Sequence, residues 1–127
     1  TLAHEASESL MRMALFDAIV NNADRKAGHV LADAHGQIFA IDHGVCFNEE
    51  PKLRTVLWGW VDQPILQPHL ANLVTLQQNL GDFHDQIDPF LSRAESHELR
   101  QRIGGLLKTE SFPQPSAQWP AIPWPVF

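Results

Sequence analysis

The sequence is poor in cysteine, in basic residues and in long apolar runs, and each shortage excludes a class of protein. A single cysteine, Cys46, cannot form an internal disulfide and fits a reducing compartment, so we expect a cytoplasmic protein. Nine Lys and Arg residues against fifteen Asp and Glu residues give a net charge of −6, which disfavours nonspecific binding to nucleic acid. No apolar run approaches the roughly 18 residues that a transmembrane helix needs. We therefore expect no nucleic-acid partner and no transmembrane segment.

The composition is that of a folded domain. The chain has 127 residues, of which 44% are hydrophobic and 19% are charged, enough for about one globular domain. It begins with Thr1, and no charged segment followed by an apolar run indicates a targeting peptide. The length is short for an enzyme with a two-sided cleft. We therefore expect a piece of a longer polypeptide.

The first half of the chain predicts one buried helix and one hairpin. Residues 10–20 are almost all apolar, which is typical of a helix buried on most sides. A polar, glycine-marked stretch at residues 23–28 predicts a loop. The β-prone runs 29–32 and 37–41 flank a turn-rich linker, Asp33-Ala34-His35-Gly36, and predict a β-hairpin.

The second half predicts loops and two further helices. Residues 46–68 lack periodicity and predict mostly loop, whereas the apolar spacing from Pro68 to Leu80 predicts a helix that ends at Gly81. The Ser92-x-x-Glu95 capping box opens a last helix, and five of the nine prolines follow Phe112. We expect that end to lie extended across the surface, anchored by Trp119 and Trp124. The whole pattern predicts an α+β fold that is mainly helical, with one small hairpin.

Two aspartates mark the candidate site. Asp24 lies in the polar loop, and Asp42 follows the second predicted strand, eighteen residues later. Because the hairpin between them folds the chain back on itself, both carboxylates can face one site. Phosphoryl transfer needs such a pair, since one carboxylate orients or deprotonates the acceptor hydroxyl and the other holds Mg²⁺ against the triphosphate.

The spacing is similar to that of a protein kinase. Protein kinases carry an Asp-x-x-x-x-Asn catalytic loop followed by an Asp-Phe-Gly triplet. Here the residue five positions after Asp24 is His29, and the later triplet is Asp42-His43-Gly44. Lys26 stands where many kinases place a lysine near the transferred phosphate.

Longer segments resemble the catalytic half of the phosphatidylinositol 3- and 4-kinase superfamily. The segments that carry the likeness are Asn-Asn-Ala-Asp-Arg-Lys at 21–26, Ile-Asp-His-Gly-Val-Cys-Phe at 41–47 and Leu-Arg-Thr-Val-Leu-Trp-Gly-Trp at 53–60. The chain is most similar to the bacterial kinase-like branch of that superfamily. The proline-rich end, Ile-Pro-Trp-Pro at 122–125, resembles the same branch.

The resemblance implies a fold, a domain layout and an activity. The fold is a kinase-like C-terminal lobe at residues 1–112, with a catalytic loop at 21–29, a hairpin at 29–42 and a metal triplet at 42–44, followed by a tail at 113–127. The activity is transfer of the γ-phosphate of ATP, with Mg²⁺, to an unknown hydroxyl acceptor.

The resemblance also implies roles for individual residues. It makes Asp24 the catalytic base and Asp42 the principal metal ligand and a nucleotide-binding residue. It makes Asn22 a loop-shaping or phosphate-side group. Lys26 is either a phosphate contact or a solvated loop cation.

Two departures from the family pattern affect these expectations. His29 replaces the metal-binding Asn, and because imidazole suits Mn²⁺ or Zn²⁺ better than Mg²⁺, either the second metal is lost or the preferred ion changes. In addition, the 23 residues before Asp24 contain no glycine-rich loop and no strand with a phosphate-anchoring lysine. We expect the N-terminal lobe of the same polypeptide to supply both, so that this chain alone is inactive.

Other interpretations remain open. A pseudokinase or interaction module would keep the fold without the chemistry, and His29 favours it. A metal-dependent hydrolase built on His29, Asp42 and His43 is a weaker alternative. For Asp17 we expect a structural ion pair, for Trp58 and Trp60 packing roles, and for Cys46 a small buried hydrophobe rather than a nucleophile.

Overall fold

The first helix, α1, runs from Leu2 to Val20 in the computed structural model, which describes residues 2–82 and 84–127 and the side chains from Ser7 onward except Phe83. Met13, Leu15 and Val20 are all buried although they do not share one face, so α1 is buried on several sides, as the apolar run predicts. The helix ends at Asn21, whose φ of 56° is the left-handed conformation that commonly terminates helices. The catalytic loop expected at residues 21–29 therefore begins directly at the end of α1.

The predicted hairpin consists of two short antiparallel strands. Strand β1 is Val30–Ala32 and strand β2 is Ile38–Ala40, with Leu31 opposite Phe39. A single 3₁₀ turn, Ala27–His29, leads into β1. The turn is closed by Asp33, whose Oδ1 accepts hydrogen bonds from two backbone N–H groups, those of His35 and Gln37.

Three helices form the second half of the chain. They are α2, Gln67–Asp82; α3, His84–Ile87; and α4, Arg93–Thr109, with a 3₁₀ turn at Asp88–Phe90. The capping box of α4 forms as predicted, because Ser92 Oγ accepts from the Glu95 N–H and the Glu95 carboxylate accepts from the Ser92 N–H. The α+β prediction is confirmed.

The helix predicted from Pro68 to Leu80 forms as α2, and it extends one residue past the expected end at Gly81. Gly81 lies inside the helix, which continues to Asp82. A glycine within a helix costs only about 1 kcal/mol relative to alanine, and the packing of the buried Leu80 against the core offsets that cost. The sequence signal for a helix end was therefore weaker than the tertiary contact.

One apolar core holds α1, α2 and α4 together. Leu15, Leu73 and Ile103 are its central side chains, and Ile65 and Phe112 close it from the connecting segments. Trp60 packs against its edge, as we expected. No helix in the described ranges is both long enough and apolar enough to cross a bilayer.

The proline-rich end has no helix or strand and lies against the helical body. The ring of Trp119 is half-buried and lies under Lys52, whose Nζ is 4.4 Å from the ring centroid. Trp124, in contrast, is 88% exposed, so the expectation that it anchors the tail is wrong. Pro123 is the buried residue instead, because the chain turns its ring inward and the neighbouring indole outward.

Candidate catalytic site

A buried ion pair forms the base of the site. Arg25 Nε lies 2.8 Å from Asp17 Oδ2, Arg25 Nη2 lies 2.9 Å from Asp17 Oδ1, and both side chains are 0% exposed. Asn22 Nδ2 donates to the same Asp17 Oδ1 at 3.1 Å. The bidentate geometry is that of the strongest Arg–carboxylate pairs, and it fixes the loop to the last turns of α1. The structural ion pair that we expected for Asp17 is present.

Arg25 also ties the loop to the segments on either side. Its Nη1 donates to the carbonyl of Ile41, at the end of the hairpin, at 2.9 Å. Its backbone N–H donates to the Arg54 carbonyl, and its carbonyl accepts from the Val56 N–H. One buried guanidinium therefore sets the position of the loop at residues 21–29 relative to Asp42, the residue that follows Ile41.

Asn22 is fully buried and shapes the loop from inside. Its Oδ1 accepts from the Asp24 N–H at 3.0 Å while its Nδ2 is held by Asp17. Both polar ends of the amide are thus occupied within the protein. This arrangement corresponds to the loop-shaping role, the first of the two that the resemblance implies for Asn22.

Asp24 presents its carboxylate at the surface of this rigid base. Its backbone is held at both ends, by Asn22 Oδ1 and by the ring of His29, whereas its side chain is about one-third exposed. Lys26 Nζ lies 3.8 Å from Asp24 Oδ1. The carboxylate therefore lies beside a cation and remains accessible from the surface.

His29 connects the two predicted motifs. Its Nδ1 lies 3.0 Å from the Asp24 carbonyl oxygen, and its Nε2 lies 3.4 Å from Asp42 Oδ2. Since a carbonyl only accepts, Nδ1 must carry the proton of that hydrogen bond, and in the neutral ring Nε2 then turns a lone pair toward a carboxylate. Two acceptors facing each other require a cation or a second proton between or upon them. His29 Nε2 and Asp42 Oδ2 are therefore two atoms that could hold a cation together, and a protonated ring satisfies the same contact as an ion pair.

Asp42 itself has the left-handed conformation, with φ of 58°. Its Oδ1 accepts from the Gly44 N–H at 3.3 Å, so that one carboxylate oxygen shapes the turn and the other faces His29. His43 points elsewhere, since its ring packs edge-on against Phe16 with the centroids 5.4 Å apart. The structure thus places His29 between the backbone carbonyl of Asp24 and the carboxylate of Asp42, and it packs His43 against Phe16.

The C-terminal segment braces the loop from the outside. The Ala27 N–H donates to the Val126 carbonyl at 2.8 Å. The Ala121 carbonyl accepts both from the Thr55 N–H and from Trp58 Nε1, at 3.1 and 2.8 Å. Trp58 therefore has the structural role that we expected. Its indole joins the C-terminal segment to residues 54–56, which hydrogen-bond to the Arg25 backbone.

Cys46 follows the triplet and is half-buried. Burial, and secondarily the nearby Asp17 carboxylate, raises the pKa of the Cys46 thiol to about 11, because both disfavour the thiolate. A thiol in this setting fits the expected apolar role rather than that of a nucleophile.

The raised pKa predicts slow alkylation of Cys46. Only the thiolate reacts with iodoacetamide, so the folded protein is expected to react more slowly than free cysteine at pH 7–9, with the rate rising toward pH 11. Mass spectrometry of timed, quenched samples measures this, and protein unfolded in urea serves as the control. A folded-state rate equal to that of the unfolded control at pH 8 would contradict the assignment.

Sequence reasoning missed the importance of Arg25. The usable signal was Asp17, a carboxylate inside an apolar run, which requires a buried cationic partner. Nothing local distinguishes Arg25 from Arg12 or Lys26 as that partner, because the choice depends on the path of the loop after Asn21.

Comparisons with known proteins identify the family of the chain. The family model described as phosphatidylinositol 3- and 4-kinase matches residues 7–87, which is more than half of the chain. The chain is 42% identical over 127 residues to Protein Rv2133c of Mycobacterium tuberculosis (strain ATCC 25618 / H37Rv), covering 99% of this chain and 45% of that protein. The chain thus spans less than half the length of this curated relative. No solved structure matches the chain. The chain belongs to the phosphatidylinositol 3- and 4-kinase family.

Proposed function

We propose that this chain is the C-terminal lobe of an ATP-dependent phosphotransferase that moves the γ-phosphate of ATP to a hydroxyl acceptor in the cytoplasm. The observation that carries the proposal is the contact between His29 and Asp42, because it joins the catalytic loop to the metal triplet in the order that the family uses. Membership of the family supports the reaction class. The N-terminal lobe of the same polypeptide would close the nucleotide site from the other side.

In this proposal Asp24 is the catalytic base. Its exposed carboxylate accepts the proton of the acceptor hydroxyl while the hydroxyl oxygen forms a bond to the γ-phosphorus and the bond to the departing ADP breaks. Lys26, next to that carboxylate, offsets negative charge on the transferred phosphoryl group. Asn22 acts as a positioning residue, since its side-chain oxygen accepts a hydrogen bond from the Asp24 backbone N–H.

The residues present fit a divalent cation held jointly with the nucleotide. Asp42 Oδ2 and His29 Nε2 would supply two ligands, and the described residues contain no group of three or more His, Cys, Asp or Glu side chains that could hold an ion alone. Mg²⁺ in nucleotide enzymes is commonly bound in this way, by one or two carboxylates together with phosphate oxygens. The ion neutralises triphosphate charge when bound, and the imidazole makes Mn²⁺ a good alternative to Mg²⁺.

His29 is also the observation that favours the second candidate function, a pseudokinase. A nitrogen ligand in place of an amide oxygen weakens a Mg²⁺ site and leaves nucleotide binding without efficient transfer. The metal-dependent hydrolase receives no support, because His43 packs on Phe16 and the described residues contain no group of three or more metal-ligating side chains. The first two candidates differ in turnover rather than in ATP binding.

The Asp42→Asn variant tests the proposed metal site. In the intact polypeptide, ATP affinity in the presence of Mg²⁺ or Mn²⁺ is expected to fall by about tenfold or more, because a charged ligand to the cation becomes neutral. Titration calorimetry with ATP, with each metal and with EDTA, measures the effect, and Glu49→Gln removes an exposed carboxylate nearby as the matched control. Unchanged metal-dependent affinity in Asp42→Asn would overturn the proposal, as would ATP binding that does not depend on a metal in the wild type.

A further inference from the structure

The segment that follows Asp42 has a defined path without secondary structure of its own. Residues 41–66, all of which the structure describes, contain no helix and no strand of the sheet. We call residues 45–56 the post-triplet segment. It begins on the loop, because the Val45 carbonyl accepts a hydrogen bond from the Ala23 N–H at 2.8 Å. Contacts with other parts of the chain therefore hold the segment in place.

The side chain of Asn21 makes three of these contacts. Its Nδ2 donates to the carbonyls of Asn48 and Glu50, at 2.9 and 2.6 Å. Its Oδ1 accepts from the Lys52 N–H at 3.1 Å. The residue is 2% exposed, so both ends of a buried amide are occupied by the post-triplet segment. Asn21 thus ends α1 with its backbone and fixes alternate residues of the segment with its side chain.

Arg102 of α4 supports the same point of the segment. Its Nη1 lies 3.4 Å from the Asn48 carbonyl oxygen, and its Nε donates to the Ile19 carbonyl at 2.8 Å. The Asn48 carbonyl therefore meets donors from the end of α1 and from α4. Since both helices belong to the apolar core, the anchor of the segment is set on the rigid part of the fold.

A phosphate group has no place to do the same work. In protein kinases, phosphorylation of the segment after the metal triplet commonly orders it through new contacts with arginine. Thr55 is the only Ser, Thr or Tyr in the post-triplet segment. It is 2% exposed, and its Oγ1 accepts from the Leu57 N–H. Within this fully described segment no accessible hydroxyl is present for a modifying enzyme, so the amide of Asn21 is the group placed to order it.

We propose that Asn21 is a positioning residue that holds the post-triplet segment permanently ordered, without phosphorylation. The turn at Asp42 is held on one side by Arg25, which donates to the Ile41 carbonyl, and on the other side by the segment that begins at Val45. Loss of the Asn21 side chain is therefore expected to loosen Asp42, the principal ligand proposed for the cation. This catalytic consequence rests on the proposed function, whereas the ordering of the segment does not.

Asn21→Gly removes the amide and keeps the backbone, because glycine readily adopts the left-handed conformation that ends a helix. In the intact polypeptide we expect the Lys52 amide to exchange its hydrogen about tenfold faster or more, since its acceptor is gone. We expect the affinity for ATP with Mg²⁺ or Mn²⁺ to fall by about threefold to tenfold. Mass spectrometry of peptides that contain Lys52 and titration calorimetry measure the two effects. Glu110→Gly is the matched control, because Glu110 is exposed and has the same φ of 56° after α4, and it should behave like the wild type.

Asn21→Asp distinguishes hydrogen bonding from simple filling of space. Aspartate has nearly the same shape and tolerates the left-handed conformation, but its carboxylate cannot donate to the carbonyls of Asn48 and Glu50. We expect exchange at Lys52 at least as fast as in Asn21→Gly, whereas a residue that only fills space would leave Asn21→Asp like the wild type. Thermal unfolding of each variant verifies the fold.

Unchanged exchange at Lys52 in a folded Asn21→Gly would overturn the inference, as would faster exchange with unchanged affinity for ATP and metal. A failure of the proposed function would appear instead in the wild type, as ATP binding that does not depend on a metal. Exchange at Lys52 requires neither ATP nor turnover, so it decides in either case whether Asn21 orders the segment.

Discussion

Replacement of Asp24 by Asn is expected to lower phosphotransfer turnover by about 10²- to 10⁴-fold, the usual contribution of a general base. The expectation applies to a polypeptide that includes the N-terminal lobe. Asparagine has nearly the same shape as aspartate but cannot accept the hydroxyl proton. ATP affinity is expected to change little, because the ligands proposed for the metal are Asp42 and His29.

The local geometry makes this variant unusually specific. The hydrogen bonds that hold residue 24 come from its backbone N–H to Asn22 and from its carbonyl to His29, and neither involves the carboxylate. The side chain's ion-pair contact is the one with Lys26, at 3.8 Å. We therefore expect an unchanged melting temperature together with the loss of turnover.

The measurement is the initial rate of ADP formation under saturating ATP, alongside calorimetric ATP affinity. Asp85→Asn, which neutralises a highly exposed carboxylate on α3, is the matched control and should retain full turnover. A rate for Asp24→Asn within a few fold of the wild type would rule out Asp24 as the base. Wild-type protein that binds ATP with metal and shows no turnover would favour the pseudokinase instead.

The largest effect on stability is expected at Arg25. Arg25→Met removes one partner of an ion pair in which both side chains are 0% exposed. Asp17 is then a buried charge whose remaining side-chain hydrogen bond, among the described residues, comes from Asn22. Breaking a buried pair in this way costs about 3–5 kcal/mol of unfolding free energy. Typical domains are stable by about 5–15 kcal/mol, so a large fraction of the variant can be unfolded at 25 °C.

A double variant separates the ion pair from simple packing. Asp17→Leu combined with Arg25→Met removes both charges, and it is expected to be more stable than Arg25→Met, since apolar replacement of a whole buried pair is often close to neutral. Urea unfolding followed by circular dichroism measures all three proteins. Glu50→Gln, which breaks a partly exposed pair with Lys52 and leaves the Lys52 contact with Trp119 in place, should cost less than about 1 kcal/mol. A loss below 1 kcal/mol in Arg25→Met would contradict the assigned role of the pair.

Local patterns predicted the parts of the fold that depend on local chemistry. The capping box at Ser92 and Glu95, the turn at Asp33 and the helical run before Asn21 all formed as predicted, because neighbouring residues satisfy their hydrogen bonds. The sequence also predicted that a hairpin lies between Asp24 and Asp42, as the structure shows. These features need no knowledge of distant segments.

The features that were missed depend on contacts between distant segments. Whether Gly81 ends α2 depends on how Leu80 packs, and whether Trp124 or Pro123 turns inward depends on the surface beneath the tail. The choice of Arg25 as the partner of Asp17 likewise depends on the hairpin and on residues 54–56. Sequence reasoning predicted a site at Asp24 and Asp42 but missed the buried pair of Asp17 and Arg25 beneath the loop.

The brace formed by the last residues has a consequence for how the protein matures during translation. Trp58 Nε1 bonds to a carbonyl 63 residues further along the chain, and Ala27 bonds to Val126. Contacts of such separation form only after both partners have left the ribosome. A nascent chain that has emerged only to Thr109 already has every helix of the lobe but lacks the hydrogen bonds that Ala121 and Val126 supply. The loop at residues 21–29 is therefore completed last, by residues far from it in sequence.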